Sequence, residues 1–245
     1  MRRFAPPPPG AREPAEERYG GMNQTLSTIE ELLRIPAPCP APMGLACDGP
    51  DLWIGSFETC RIYGMVAQQG RVFEEAIAPG RPYGLTVTGD ALRVVIGASG
   101  SEPGDDDRTI CRYVMGKDFK KSDVVRCPDD TGSFLAYDGD RLYLSQRDNK
   151  VILELDERGT VLRTIPVPRQ ITGMVIVAGR FYLATTESRE VDDYRLLCLD
   201  ARKEQPEVHE LASIPFGARS LGFDGTKFWT NCRAENTIVA FAKPD

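Results

Sequence analysis

Gly44-Leu45-Ala46-Cys47-Asp48-Gly49, followed shortly by Leu52-Trp53-Ile54, reads as an apolar strand, a tight turn and a second apolar strand. Four similar stretches follow along the chain: 84–89 with 92–94, 134–139 with 142–144, 174–179 with 181–183, and 220–225 with 228–230. The glycines that close the five turns are 40, 50, 40 and 46 residues apart. A period of about 40–50 residues with several strands in each unit predicts a β-propeller.

Each repeat divides into four predicted strands, and the third repeat shows the plan best. Its strands are expected at 134–137, 142–145, 151–155 and 161–165. An Asp-Glu-Arg-Gly turn at 156–159 separates the last two, and its glycine supplies the positive φ that such a hairpin turn requires. The sequence therefore predicts an all-β fold made of four-stranded antiparallel blades.

The fifth repeat ends after its third strand, at 238–241, only a few residues before the C-terminus. The segment 26–35 lies before the first repeat, where a fourth strand is missing, although its local pattern is also compatible with a helix. We expect this segment to pair with 238–241, because an unclosed ring would leave a strand edge and a blade face exposed.

The domain organisation follows from the same repeat. Residues 1–21 are rich in Pro, Glu and Arg and lack periodicity, which predicts a disordered tail. Residues 22–245 are predicted to form a single five-bladed propeller, with the closing strand at about 26–35 and blades starting near 44, 84, 134, 174 and 220. A sixth blade would need about 40 more residues.

Composition narrows the class of protein. The net charge of −6 disfavours nucleic acid as a partner, since phosphate binding requires a concentrated cationic surface. The sequence contains no apolar run of about 18 residues, so no membrane span is expected. The N-terminus leads into Pro6-Pro7-Pro8-Pro9 and not into the apolar segment of a secretory signal, which predicts a cytoplasmic protein.

The seven cysteines are odd in number and form no Cys-x-x-Cys pair. This spacing is typical of reduced cysteines in a cytosolic protein. Cys47 and Cys198 fall inside apolar strand patterns, where a thiol behaves as a small buried apolar group.

The stretch from Gly44 to Ile54, together with Phe228-Trp229-Thr230-Asn231 and Asn236-Thr237-Ile238, resembles the blades of a broad propeller group. This group includes the streptogramin lyases, the senescence marker protein and gluconolactonase family, and the NHL-repeat proteins. The resemblance covers 44–245 and implies an architecture. Members of the group include metal-dependent lactonases, lyases and interaction scaffolds, so the resemblance does not choose a function.

A lactonase of this kind is expected to hold a divalent cation near the axis through Glu, Asn and Asp side chains. The residues that precede the first strands of the five blades are Met43, Tyr83, Ser133, Thr172 and Arg219. These side chains include no carboxylate and no amide, so we expect no cofactor; a divalent metal stays an alternative that these inner residues do not support. A lyase would need a His general base, and the single histidine, His209, falls in a predicted outer strand.

Three arginines near the predicted blade starts, Arg81, Arg169 and Arg219, are the candidate ligand-binding residues, together with Tyr83. Converging guanidinium groups suit a carboxylate or a phosphate, because they donate forked hydrogen bonds. Alternatively, these arginines form ion pairs with acidic residues at the rim of the propeller.

The loops after the second strands carry carboxylates in four blades, at Glu58, Asp148, Glu187 and Glu235. Glu58, Glu187 and Glu235 are the candidate catalytic residues if the protein is an enzyme. Arg147, Arg189 and Arg233 lie beside them in the sequence, so ion pairs worth about 0–1 kcal/mol each are the alternative interpretation. Two longer loops, 99–107 and 188–193, are expected to overhang the same face.

Three functions remain open at this stage. The first is a propeller that binds a small anionic molecule at the mouth of the central channel. The second is a hydrolase or lyase that resembles the lactonase and streptogramin lyase group and uses the loop carboxylates. The third is a scaffold that binds a protein partner.

Overall fold

The computed structural model describes residues 26–98, 107–203 and 206–244. Its strands form five four-stranded antiparallel sheets, which confirms the predicted five-bladed propeller. Blade 1 contains β2 (Pro42–Asp48), β3 (Asp51–Ser56), β4 (Arg61–Val66) and β5 (Arg71–Ile77). Blade 2 contains β6 (Arg81–Thr88), β7 (Ala91–Gly97), β8 (Thr109–Val114) and β9 (Phe119–Arg126). Blade 3 contains β10 (Leu135–Tyr137), β11 (Leu142–Gln146), β12 (Val151–Leu155) and β13 (Val161–Pro166).

Blade 4 contains β14 (Gln170–Val177), β15 (Arg180–Thr186), β16 (Tyr194–Asp200) and β17 (His209–Ile214). Blade 5 contains β18 (Ala218–Phe223), β19 (Phe228–Cys232) and β20 (Thr237–Phe241), and its outer strand is β1 (Glu31–Pro36). The first strand of each blade lies innermost.

The ring is closed as predicted, by an N-terminal strand that pairs with the last strand of the chain. In β1, Arg34 lies opposite Val239 and Ile35 lies opposite Ile238. The strand starts at Glu31 and not at residue 26, because the preceding residues hydrogen-bond to another blade. The backbone N–H of Ile29 donates to the carbonyl of Ser213, in the outer strand of blade 4, at 2.9 Å. The N-terminal segment thus joins blade 4 to blade 5.

The turn between the first and second strands of each blade contains a residue with positive φ. Gly49, Gly89, Gly139 and Gly225 all have positive φ, as the turn requires. In blade 4 the two-residue turn carries its glycine one position later than in blades 1 and 2, and both Ala178 (φ 51°) and Gly179 (φ 75°) adopt the left-handed conformation. Two central residues with positive φ define the tight hairpin turn whose twist matches the flanking strands. Gly173, and not Met174, is therefore the counterpart of Gly44.

Burial falls from the axis outward. The strands β3 and β15 are almost entirely buried, whereas β5 and β13 at the rim are largely exposed. Neighbouring blades pack through aromatic side chains of the second strands. The ring centroids of Tyr143 and Phe181 are 5.0 Å apart across blades 3 and 4. Those of Tyr182 and Phe228 are 4.9 Å apart across blades 4 and 5.

Glycine allows the innermost strands to approach one another closely. A Cβ atom at Gly44 would overlap the carbonyl oxygen of Tyr83 in blade 2, and one at Gly173 would overlap the backbone of Ser220 in blade 5. The pairing register also shifts at the start of the first strand in blades 1, 2, 4 and 5. Such bulges bend the strand and redirect the side chains beside them.

All seven cysteines lie in the described residues, and none forms a disulfide. Within 26–98, 107–203 and 206–244, no helix is long and apolar enough to cross a membrane. The predicted disordered tail at 1–21 and most of the predicted long loop at 99–107 lie outside the described residues.

Candidate functional site

The first strand of each blade begins, and the second strand ends, at one face of the propeller. We call this face the mouth. The two strands are antiparallel neighbours, so residues just before the first strand and just after the second strand meet there. The bulges in four blades lie at this end as well. The mouth therefore collects side chains from every blade around the axis.

Arg81 and Tyr83 contribute to an aromatic shelf around Phe57, which directly follows β3. The guanidinium carbon of Arg81 lies 5.0 Å from the centroid of the Phe57 ring, and that of Arg233 lies 5.2 Å from it. Tyr83 contacts the same ring edge-on, with the two centroids 5.2 Å apart. The guanidinium carbon of Arg108 lies 3.9 Å from the Tyr83 centroid. The aromatic rings thus hold cations at the mouth by cation–π contact.

Arg169 forms ion pairs with two carboxylates, those of Glu187 and Asp193. Its Nη1 donates to Glu187 at 3.1 Å, and its Nη2 donates to the Asp193 carboxylate at 2.8 Å. The Arg169 hydrogen bond holds the pKa of Asp193 below its usual value, although partial burial acts in the opposite direction. Of the three arginines predicted to bind an anion, Arg169 therefore has its charge balanced within the protein.

Arg219 differs from Arg169, because no ion pair to it occurs in the described part of the chain. Its guanidinium carbon lies 5.7 Å from the centroid of the Tyr194 ring, and its Nη1 is buried without a hydrogen-bond partner among the described residues. A buried N–H that lacks an acceptor costs about 1–3 kcal/mol, and more when the group is charged. The side chain is thus held in place with part of its donor capacity unused.

Arg147 directly follows β11 and is the most unusual cation at the mouth. Its Nε and Nη2 atoms are buried and lack hydrogen-bond partners among the described residues. These two atoms form one edge of the guanidinium plane, the fork that binds both oxygens of a carboxylate or phosphate. Burial, together with the positive charges of Arg219 and Arg189, lowers the pKa of Arg147 to about 10.

Arg233 directly follows β19 and joins the same group of charges. Burial lowers its pKa, and Arg219 contributes to the lowering, whereas Tyr83 and Glu58 act in the opposite direction. Arg147, Arg219 and Arg233 therefore form an electrostatically coupled cluster, which we call the mouth arginines. They come from blade 3 and blade 5, and none has an ion-pair partner within 26–98, 107–203 and 206–244.

Two neutral polar side chains near the mouth ends of β14 and β19 also have unsatisfied atoms. Thr172 and Asn231 are fully buried, and the Oγ1 of Thr172 and the Oδ1 of Asn231 lack hydrogen-bond partners among the described residues. Asn231 uses its amide nitrogen to donate to the carbonyl of Gly44 at 3.3 Å, across the seam between blades 5 and 1. Buried polar atoms are normally satisfied, so the unsatisfied atoms of Thr172 and Asn231 call for an explanation.

The candidate catalytic carboxylates do not form a common site. Glu187 bonds to Arg169, and Glu235 bonds to Arg34 at 2.7 Å, on the outer strand of blade 5. Glu58 is exposed, and its negative charge acts to raise the pKa of Arg233. Asp148 pairs with Arg189. The described residues contain no group of three His, Cys, Asp or Glu side chains arranged to hold a metal ion.

His209 begins β17, the outer strand of blade 4, as the sequence predicts. Its side chain is half exposed, and its Nε2 lies 4.0 Å from the Glu207 carboxylate. Because β17 is the strand of blade 4 farthest from the axis, this imidazole lies away from the mouth.

The central channel continues from the mouth towards the opposite face. A cavity of about 170 Å³ is lined there by residues 45–47, 85–87, 135–137, 174–176 and 221–223 of the five innermost strands. None of these residues carries a charge. The charges that line the axis are therefore concentrated at the mouth.

Sequence reasoning assigned Arg147 and Arg233 to ion pairs with the loop carboxylates and so missed them as candidate ligand residues. A signal was present, since both directly follow the second strand of their blades. The residue at this position is Phe57 in blade 1 and Glu187 in blade 4, so the residue type at this mouth position differs from blade to blade. Which cations lack a partner depends on side-chain contacts that a sequence does not display.

Comparisons with known proteins agree with the fold. No protein-family model and no curated protein sequence matches this chain. Among solved structures, glutaminyl cyclase from Myxococcus xanthus has a TM-score of 0.65 at 10% identity, covering 88% of this chain and 97% of its own. PQQ-bound aldose sugar dehydrogenase from Streptomyces coelicolor has a TM-score of 0.60 at 13% identity, covering 89% and 98%.

A chain of the nidogen/laminin complex is a third similar structure, with a TM-score of 0.55 at 15% identity, covering 83% of this chain and 76% of its own. At such low identity the similarity shows the propeller fold alone. Enzymes and a protein complex share this architecture, so the function has to be argued from the mouth residues.

Proposed function

We propose that this propeller binds a small anionic molecule at the mouth, held by the mouth arginines and flanked by the shelf of Phe57 and Tyr83. The observation that carries the proposal is the unused donor capacity of Arg147 and Arg219. Both guanidinium groups have buried N–H donors without acceptors among the described residues. An oxyanion would supply acceptors and negative charge together, and it would offset the cost of burying like charges side by side.

Pre-ordered side chains support the same proposal. Arg219 is stacked against Tyr194, and Arg233 is stacked against Phe57. A side chain that is already fixed loses less conformational entropy when a ligand binds, so affinity is gained without new contacts. Ligand pockets typically combine such aromatic walls with a small number of oriented polar groups.

Thermal unfolding in the presence of small oxyanions tests the proposal. Sulfate, phosphate and succinate at constant ionic strength should raise the melting temperature in a saturable manner, because a ligand that binds only the folded state stabilises it. Arg219→Gln should abolish the saturable increase. Arg158→Gln is the matched control, since Arg158 lies exposed on a turn outside the mouth. An increase that does not saturate, or that survives in Arg219→Gln, contradicts the proposal.

An enzyme related to the lactonases and streptogramin lyases is the second candidate. Glu58 favours it, because this carboxylate is exposed near Arg233 without a direct ion pair in the described part of the chain. Hydrolysis of lactones that is lost in Glu58→Gln, but kept in Glu187→Gln and Glu235→Gln, would support this function. Equal loss in all three variants, or in none, would count against a role for Glu58.

A protein-interaction scaffold is the third candidate, favoured by the similarity to a chain of the nidogen/laminin complex. A partner that is captured equally by the unaltered protein and by the Arg219→Gln variant would support an interaction surface away from the mouth. Capture that depends on Arg219 would instead place the anionic group on the partner itself.

A further inference from the structure

Blade 2 departs from the other four blades at one position of its second strand. In those blades the position holds a buried aromatic side chain, in chain order Trp53, Tyr143, Tyr182 and Trp229. In β7 it holds Arg93, which lies opposite Thr86 just as Trp53 lies opposite Ala46. The second strand of blade 2 therefore contributes no ring to the seam between blades 2 and 3.

The turn before this strand departs from the repeat as well. In blade 3 the hydroxyl group of Tyr143 donates to the turn residue Asp138 at 3.1 Å, and in blade 5 the Nε1 of Trp229 donates to Asp224 at 2.8 Å. Thr88, which precedes the turn glycine of blade 2, is the counterpart of these two aspartates. Both members of the aromatic–aspartate pair are thus replaced in blade 2.

A cavity of about 480 Å³ lies at this seam, and both replaced residues line it. Its lining includes Thr88, Arg93 and Arg112 of blade 2, and Tyr137, Leu142 and Leu155 of blade 3. Thr88 ends β6 and Tyr137 ends β10, so the cavity lies on the side away from the mouth. Its volume is within the range of about 300–1,000 Å³ that is typical of small-molecule sites.

The two walls of the cavity differ in chemistry. On blade 2, the Nη1 of Arg93 donates to one oxygen of Asp123 at 2.5 Å, and the Nη1 of Arg112 lies 3.7 Å from the other oxygen. A guanidinium group held in this way is a planar surface on which an aromatic ring stacks. On blade 3, Leu142 and Leu155 supply apolar contact.

Carboxylates from two turns of blade 3 complete the lining. Asp140 and Glu157 are both exposed, and both belong to the lining of the cavity. A carboxylate accepts hydrogen bonds, so these groups suit a ligand that carries a hydroxyl donor. The positive charge of Arg93 is already paired with Asp123, so the cavity does not require an anionic ligand.

We propose that the seam between blades 2 and 3 binds a small, neutral, hydroxylated aromatic molecule, at a site separate from the mouth. The ring stacks on Arg93 and fills the place that Trp53 and Tyr143 occupy at their own seams. Leu142 and Leu155 contact the ring from blade 3, and the hydroxyl group donates to a turn carboxylate. This inference does not depend on anion binding at the mouth.

A matched pair of probes tests the requirement for an aromatic ring. 2-Naphthol and decahydro-2-naphthol share a carbon skeleton and a hydroxyl group, and they differ in aromaticity. Isothermal titration at pH 7 should give about tenfold tighter binding of 2-naphthol, because a saturated ring offers no π face to Arg93. Absence of 2-naphthol binding, or affinities for the two probes that agree within twofold, overturns the proposal.

Arg93→Tyr tests the location of the site. The new ring should occupy the seam as Tyr143 does between blades 3 and 4, and binding of 2-naphthol should be lost. Arg71→Tyr is the matched control, because Arg71 is exposed on the outer strand of blade 1, and its affinity for 2-naphthol should be unaltered. Binding that persists in folded Arg93→Tyr, or that is lost equally in Arg71→Tyr, overturns the assignment to this cavity.

Arg93→Met tests the stacking role and does not depend on whether Arg93→Tyr folds. Methionine leaves the cavity open but removes the guanidinium group, so the preference for 2-naphthol over the saturated probe should fall to about threefold or less. Circular dichroism checks that the variant is folded. A tenfold preference retained in Arg93→Met overturns stacking on Arg93.

Discussion

Arg147, just after the second strand of blade 3, and Arg219, in the first strand of blade 5, are like charges coupled across the mouth, and neither has a direct acidic partner among the described residues. Burial and the charge of Arg219 together lower the pKa of Arg147, which falls to about 10. With a pKa of about 10, Arg147 still carries its positive charge at neutral pH. This arrangement costs folding free energy in the absence of a ligand, which is typical of sites organised for binding and not for stability.

Arg147→Met should therefore stabilise the protein when no anion is bound. Methionine removes a buried charge and its unsatisfied donors while keeping apolar contact, and such replacements are often stabilising by about 1 kcal/mol. Urea unfolding at pH 7 in low-salt chloride buffer measures the change. Added salt should narrow the difference between the two proteins, because it screens the repulsion in the unaltered protein. A destabilisation of similar size would mean that Arg147 has a structural role.

Gly44→Ala should destabilise the fold by about 3 kcal/mol, since the added methyl group overlaps the backbone of the neighbouring blade and neither strand can move freely. Gly49→Asn is the control. Gly49 has φ 56° and open space around it, and asparagine tolerates this conformation, so the cost should stay below about 1 kcal/mol. Thermal unfolding of the two variants compares them, and equal losses would contradict close packing around the channel.

Ile35→Asp should weaken closure of the ring by about 2 kcal/mol, because Ile35 lies opposite Ile238 and packs against the core between blades 5 and 1. Leu32→Asp, at a position that is 52% exposed on the same strand, should cost less than about 0.5 kcal/mol. Urea midpoints give both values. Comparable effects at the two positions would argue against β1 as the specific closing strand.

Asp224 should make stability sensitive to acid. Burial alone would raise the pKa of this carboxyl, but hydrogen bonds from Lys227, Trp229 and Thr226 outweigh burial and hold the pKa well below its ordinary value of 3.8. The unfolded chain therefore takes up this proton first, and the stabilisation is fully present above about pH 5 and declines as the pH falls below 3.8. Asp224→Asn should flatten this part of the stability profile. Identical slopes below pH 4 would contradict the assignment.

Part of the candidate site is predictable from the sequence, and part is not. Arg81, Tyr83, Arg169 and Arg219 were placed near the mouth from the repeat, because the repeat states where each first strand begins. The repeat does not reveal that Arg169 is neutralised by Glu187 and Asp193. It also does not reveal that Arg147 and Arg233 lack comparable partners, since ion pairs form between loops of different blades.

The sequence by itself determined the number of blades, the place of their turns and the closing role of the N-terminal strand, because these depend on periodic apolar residues and on positive-φ glycines that act locally. In blade 4 the turn glycine, Gly179, lies one position later than in blades 1 and 2, and the fold is unchanged. The tertiary structure alone decided which charges are paired. Blades that are distant in sequence meet at the axis. Whether a buried guanidinium group forms an ion pair with a carboxylate there depends on distances of a few ångströms, which no local sequence pattern encodes.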